Sequence, residues 1–284
     1  MDLKLISEEI RNALQERRAE LGLEFFEDEH RYIMRDTDGS VHSNFPSVSK
    51  VVKLFYTPFD AEGKSYQMAQ GDLEVQQQLL EKWRKSGEYS TNMGSRVHYI
   101  LENELVSQYG DYKDVREPIF ECDSTQILRS DKMVEAGKNF LDLMHERGAV
   151  LLDTEIVLGD PDLGYTGQPD KVWLMMNKNQ TGFGMVITDW KTNQPKNFQI
   201  HSYTGKMLHP FGNYHDTALG HYYLQLPLYG KLILKMLENS KYSDLKLLGC
   251  VVVLVKDDGS YEEFKVPYEV TQTILNMDIK KYLN

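Results

Sequence analysis

Residues 245–255, LKLLGCVVVLV, form the most apolar run of the chain. The run is far shorter than the ~20 residues that cross a bilayer. Protein must therefore cover it on both faces, as happens to a central strand of a sheet with helices above and below. The segments before it supply the rest of such a sheet. AVLLDTEIVL, YTGQPDKVWLMM and GMVITDW, within residues 149–190, are strand-like runs separated by turn residues, which predicts three successive antiparallel strands. Residues 130–147 make an amphipathic helix stopped at Gly148, residues 218–238 a long helix carrying Pro227, and residues 268–283 a closing helix. Helix, three strands, helix and strand in that order describe a mixed α/β sheet with helices on its faces.

The N-terminal part reads as an accessory region of helix, β-hairpin and helices. Leu5, Ile6, Ile10, Leu14 and Leu21 share one helical face, and Gly22 suits the end of that helix. RYIMR and SVHSNF flank the turn Asp36-Thr37-Asp38-Gly39. Pro46 opens a short helix in PSVSKVVKLFY, which Pro58 ends, and residues 60–87 are helical and very polar. Thr91 or Asn92 then caps a new helix bearing Val97, Ile100, Leu101 and Leu105, followed by a polar connection over residues 109–128. The chain divides softly into residues 1–90 and 91–284, with no Gly/Ser linker or internal repeat to sharpen the boundary. At roughly 150 residues per domain, 284 residues allow one elaborated domain or two.

Composition narrows the class of activity. Apolar residues at 41% and charged residues at 26% exclude a low-complexity or disordered chain. The N-terminal stretch MDLKLISEEIRNALQERR has no signal-peptide core, so an intracellular protein without a membrane role is expected. Cys122 and Cys250 are isolated, which argues against a disulfide framework or structural zinc, and two cysteines cannot hold a four-cysteine iron–sulfur cluster. The net charge of −11 argues against non-specific coating of nucleic acid. It leaves room for an enzyme whose carboxylates hold divalent cations.

Chemistry concentrates in Gly167-Gln168-Pro169-Asp170 and Asp189-Trp190-Lys191. Asp170 falls near the middle of one predicted strand and Asp189 near the end of the next, so a hairpin brings both carboxylates to one edge of the sheet. Residues i and i+2 share a strand face, so Lys191 projects beside Asp189 while Trp190 points away. Two carboxylates suit a hard divalent cation, magnesium or manganese. A neighbouring lysine is then free to orient or deprotonate water or to neutralise a phosphoryl transition state. A surface hairpin with an ordinary Asp/Lys ion pair fits the bare tripeptide equally well.

His98 is a candidate third ligand, with Glu102 on the same helical face. Glu155 is open to either a supplementary ligand role or a surface ion pair. Gln225 and Tyr229, at i and i+4, share a helix face that either steadies the site and substrate or packs on the sheet. Residues 191–206 hold Lys191, Lys196, His201 and Lys206 with no acid and with Phe198 and Tyr203 interleaved, the composition of a strip that tracks phosphates and stacks bases, or of a solvated loop.

Taken in order, Gly94, His98 and Glu102, then Gly167 and Asp170, then Asp189 and Lys191, then Gln225 and Tyr229 resemble the four motifs of the RecB-like exonuclease branch of the PD-(D/E)XK nuclease superfamily. The resemblance spans residues 94–229, and FPSVSKVV is similar to a segment ahead of the core in mitochondrial genome-maintenance type and phage exonucleases. It implies a restriction-endonuclease-like mixed β-sheet core flanked by helices. It also implies magnesium- or manganese-dependent DNA cleavage, with His98, Asp170, Asp189 and the Trp190 carbonyl as metal ligands and Lys191 as catalytic lysine. Gln225, Tyr229, Lys196 and Lys206 would meet substrate, with Glu102 and Glu155 in support. The expected setting is recombination, replication or repair in the cytoplasm of a bacterial or phage-infected cell, beside a single-strand-binding or recombination protein. A helical region over residues 46–108 that arches over the site would favour single-stranded ends. The alternatives are a duplex-end recombination exonuclease with ring-like oligomers, a catalytically inactive nucleic-acid-binding relative, and an acidic DNA mimic.

Overall fold

The computed structural model describes residues 2–26, 29, 31–36, 38–43, 45–109, 120–201 and 205–283. Thr37 and Asn44 of the predicted hairpin, residues 110–119 of the polar connection, and Tyr203 lie outside the described residues.

Helix α1 (Leu3–Glu20) begins where the Asp2 carboxylate accepts the N–H groups of Lys4 and Leu5. It ends just ahead of Gly22, whose φ of 56° is the left-handed geometry that glycine adopts freely. Strands β1 (Glu24–Phe26), β2 (Arg31–Arg35) and β3 (Val41–His42) form a small antiparallel sheet, so the predicted hairpin gains a third strand. Helix α2 (Val48–Val52) starts from Ser47 rather than Pro46. The proline stands outside the helix because its carbonyl is used elsewhere, accepting the Thr166 N–H at 3.0 Å and tying the N-terminal region to the core.

Helices α3 (Ala61–Met68) and α4 (Leu73–Tyr109) follow. No helix starts at Thr91 or Asn92: α4 runs unbroken through both, and through residue 90. A Thr or Asn inside a run of Gln, Glu, Lys and Leu costs only tenths of a kcal/mol, about 0.7 at most, and tertiary packing overrides it. Helix α5 (Ser124–Glu146) starts earlier than the sequence suggests, at a reciprocal capping box between Asp123 and Gln126.

Two segments that read as single strands are each split. AVLLDTEIVL becomes β4 (Val150–Thr154) and β5 (Leu158–Asp160), and YTGQPDKVWLMM becomes β6 (Tyr165–Gly167) and β7 (Lys171–Met176). Pro169 has no N–H for a ladder, so it interrupts the second. Asp170 accordingly sits at the foot of β7 rather than in mid-strand. Strand β8 (Phe183–Lys191) precedes helix α6 (Ala218–Met236), which keeps Pro227 inside. Strands β9 (Leu247–Val255) and β10 (Tyr261–Lys265) complete the sheet, β10 being unforeseen. The closing helix is broken into α7 (Tyr268–Asn276) and α8 (Lys280–Leu283). Carbonyls freed at the break, those of Ile274, Leu275 and Met277, accept from the Lys231 ammonium.

The main sheet has the order β10-β9-β8-β7-β4, parallel between β8 and β9 and antiparallel elsewhere. The apolar run at 245–255 is thus interior, although β8 holds the middle. Alternation along the strands sorts the core into two layers. Val172, Leu174, Ile187, Val252 and Leu254 pack with α6, α1 and α2 on one face. Trp173, Trp190, Val253 and Val255 pack with α4 and α5 on the other. Ile10, Leu14, Val48 and Phe55 share the first layer, which ties α1 and α2 to the main sheet, while Leu21, Leu23, Tyr32 and Met34 pack with Val157 in a cluster of their own. Among the described residues no helix is long and apolar enough to cross a membrane.

Candidate functional site

Register builds the site. Lys171 on β7 pairs with Thr188 on β8, so Asp170, one residue earlier, lies beside Asp189 and Trp190. The Trp190 N–H donates to Asp170 Oδ2 at 2.8 Å and fixes that carboxylate. From α4, His98 Nδ1 comes within 3.3 Å of the same oxygen while its side chain keeps 30% exposure. Gly94 lets the helix come this close: a Cβ there would lie 3.0 Å from the Thr192 hydroxyl.

Glu155 comes from the break between β4 and β5, in left-handed backbone at φ 48°. Its N–H donates to the Asp170 carbonyl at 3.3 Å, and its own carbonyl accepts from Gln168 Nε2 at 3.1 Å. Ligand atoms of His98, Glu155 and Asp170 all lie within 4.8 Å of one another. Imidazole nitrogen and carboxylate oxygen are a donor set that could hold a metal ion.

Asp189 stands beside this trio, its buried carboxylate against the Lys191 ammonium. Lys191 also lies 4.4 Å from the centre of the Tyr222 ring, a cation–π contact. Trp190 turns its ring into the opposite core layer, as alternation requires. Gln225 Nε2 donates to Tyr229 Oη at 2.9 Å. The Tyr229 ring reaches the site because residue 167 is glycine; a Cβ there would be 2.6 Å from Tyr229 Cε1.

The charges are strongly coupled. Burial, then the Asp170 and Glu102 carboxylates, push the Glu155 carboxyl up to about 8. Burial and Asp170 raise Asp189 to about 6, against the pull of Lys191. Burial would raise Asp170 too, but His98, Lys191 and Lys171 around it hold it far below the usual range. Burial works to lower His98, yet Asp170 more than offsets it and the imidazole is raised. The result is a cluster of carboxylates that resists losing its last proton.

The rest of the predicted surface divides. Lys196 is exposed on the turn after β8. Lys206 folds onto its own loop, 3.4 Å from the Asn213 carbonyl and 3.3 Å from His215 Nε2. Phe198 is no base-stacking platform, since it is buried against Tyr222 and Phe264. His201 is exposed, with its ring beside His215.

Two residues were missed. Lys171 is buried, donating to Thr154 Oγ1 at 2.7 Å and to the Asp170 carbonyl at 3.2 Å, and Tyr222 lies under Lys191. A lysine next to an aspartate reads as a surface residue, and its place between β4 and β8 is set by pairing with distant strands. Glu155 had a weak signal, an acid at a strand end.

No family model matches the chain and no curated protein matches its sequence. What defines the molecule is a mixed α/β sheet with a histidine and two carboxylates gathered at the ends of its strands, next to an Asp–Lys pair.

Proposed function

We propose that the protein is a magnesium- or manganese-dependent DNA exonuclease of the RecB-like PD-(D/E)XK branch, on a restriction-endonuclease-like core. The observation that carries this reading is the convergence of His98, Glu155 and Asp170 beside Asp189 and Lys191, contributed by four elements scattered over the sequence. A solvated hairpin ion pair would need neither the helix nor the strained Glu155. The site fits a divalent cation, because Glu155 and Asp189 are both raised by burial and by neighbouring acid, a strain that bound positive charge relieves.

His98 and Asp170 would hold the ion together with Glu155, which the geometry adds to the ligands that the resemblance implies, namely His98, Asp170, Asp189 and the Trp190 carbonyl. Bound there, the ion would supply Lewis-acid stabilisation of the phosphoryl group and would acidify water. The chain's own groups do the rest. The Trp190 N–H locks Asp170 in orientation, and Lys191, held by Asp189 and the Tyr222 face, orients water and neutralises charge on the phosphoryl oxygens. The water oxygen bonds to phosphorus as the ester P–O bond breaks; the water gives its proton to solvent and the leaving oxygen takes one from solvent. Gln225 and Tyr229 support the site from α6. Single-stranded ends are the preferred substrate, since an arch formed over the site by the helical region of residues 46–108 would admit a flexible strand more readily than a duplex.

The test is incubation of purified protein with linear and circular, single- and double-stranded DNA, with manganese or with chelator. Linear single strands should be shortened, circles spared, and chelator should stop the reaction. Metal-dependent loss of circles would make the enzyme an endonuclease, and absence of cleavage on every substrate would overturn hydrolysis.

A further inference from the structure

Beyond Lys191 the chain leaves β8 and residues 192–196 wall a cavity of about 300 Å³. Its other walls come from far away in sequence, Arg129 on α5 and Lys256 and Asp257 just after β9. Three cations, Arg129, Lys196 and Lys256, therefore meet one acid, Asp257, which pairs with Arg129 at 2.8 Å. Lys256 also reaches Glu262 on the rim at 3.0 Å. In a chain of net charge −11 this local excess runs against the average, and it lines a concavity rather than a convex face. The Thr192 hydroxyl and Asn193 amide add neutral hydrogen-bonding groups. Small-ligand pockets span roughly 300–1,000 Å³, so this one suits a single compact group. Thr192, which opens the wall, follows Lys191 in the chain, and its hydroxyl lies against Gly94, one helical turn before His98.

We infer that this cavity is a phosphate subsite for the nucleotide adjoining the one cleaved, with Arg129, Lys196 and Lys256 as the contacting cations. The inference rests on the nuclease reading for its substrate and deepens it: one phosphate is held by these three cations while its neighbour is presented to Lys191. An internal diester and a terminal monoester carry the same recognition chemistry.

Binding in the presence of chelator separates this from catalysis. Internally labelled eight-nucleotide thymidine strands, bearing a 5′-phosphate, a 3′-phosphate or neither, are titrated with full-length wild type and with the double variant Lys196→Ala/Lys256→Ala. The variant should bind about tenfold more weakly, and its log K against log salt slope should fall by about 1.4, two cations at ~0.7 each. A loss confined to one phosphorylated end identifies a terminal monoester, and an equal loss on all three identifies an internal diester. Lys241→Ala, remote and paired with Glu9, should change nothing. Wild-type affinity and slope in the double variant would overturn the subsite, as would a wild type that binds none of the strands. Manganese-dependent cleavage is scored separately: binding lost by the variant in a protein that never cleaves would retain the cavity and discard hydrolysis, and the converse result would do the reverse.

Discussion

Glu155 holds left-handed backbone that costs a non-glycine residue about 1–3 kcal/mol, and it does so where its carboxylate joins His98 and Asp170. Lys191 is the sharpest test. Lys191→Ala should reduce cleavage by at least about a hundredfold, the scale of a positioned proton-handling or charge-stabilising group. Melting temperature should fall, because the buried Asp189 loses its counter-charge, while manganese binding persists through His98, Glu155 and Asp170. Activity retained at wild-type rate would remove the lysine from its role. Gly167 offers a packing test, since a Cβ there meets both Tyr229 and Val48 at 2.6 and 2.8 Å. Gly167→Ala should cost about 1–3 kcal/mol in urea unfolding through overpacking, with activity falling as Tyr229 is displaced. At this scale the sequence was legible where a short motif announces itself: Asp170, Asp189, Lys191 and His98 stand at fixed small spacings from glycines or from one another. Arg129, Lys171 and Lys256 carry no such signal, because what gives each its setting is packing between elements distant in the chain.

Whole elements were readable when one physical tendency dominated. Helix α1 follows from its apolar face and Gly22, α6 from its apolar length despite Pro227, and β9 from unbroken apolar character. Boundaries failed where two tendencies compete. Thr91 and Asn92 favour caps, yet the helix that would have to end before them continues, because Met93, Val97 and Leu101 further along the same cylinder are packed against α5. The continuity of α4 can be tested with Asn92→Pro. In the first turn of a new helix proline is tolerated, whereas in a helix interior its ring strikes the carbonyl four residues back, here Glu88, at a cost of about 3 kcal/mol. The variant should lose stability on that scale, measured by urea unfolding, and activity should fall with it because His98 rides on the same helix. A stability change within a few tenths of a kcal/mol would show that the helix breaks at residue 92.

Charge in the whole molecule links the site to stability through pH. Glu155 has a folded value of about 8 against an ordinary 4.5, and Asp189 about 6 against 3.8. An acid raised on folding favours the native state below its unfolded value, and that advantage disappears as pH climbs through the folded value. Metal-free protein therefore loses stability from these two groups between about pH 4 and pH 8. Asp170, displaced the other way, loses its contribution only as pH falls below the usual carboxylate range. Because other acids in a chain of net charge −11 add their own repulsion, the informative quantity is a difference between proteins. Glu155→Gln mimics the protonated carboxyl, so its melting temperature relative to wild type should climb by several degrees from pH 5 to pH 8.5. Manganese should reverse the order. At a hundred times Kd a ligand of the native state adds about 2.7 kcal/mol, and since it needs deprotonated carboxylates the gain should be larger at pH 8.5 than at pH 5. Wild type should show that gain and Glu155→Gln should lose most of it. Parallel melting curves for the two proteins, with equal manganese shifts at both pH values, would mean that Glu155 neither titrates in this window nor touches the ion.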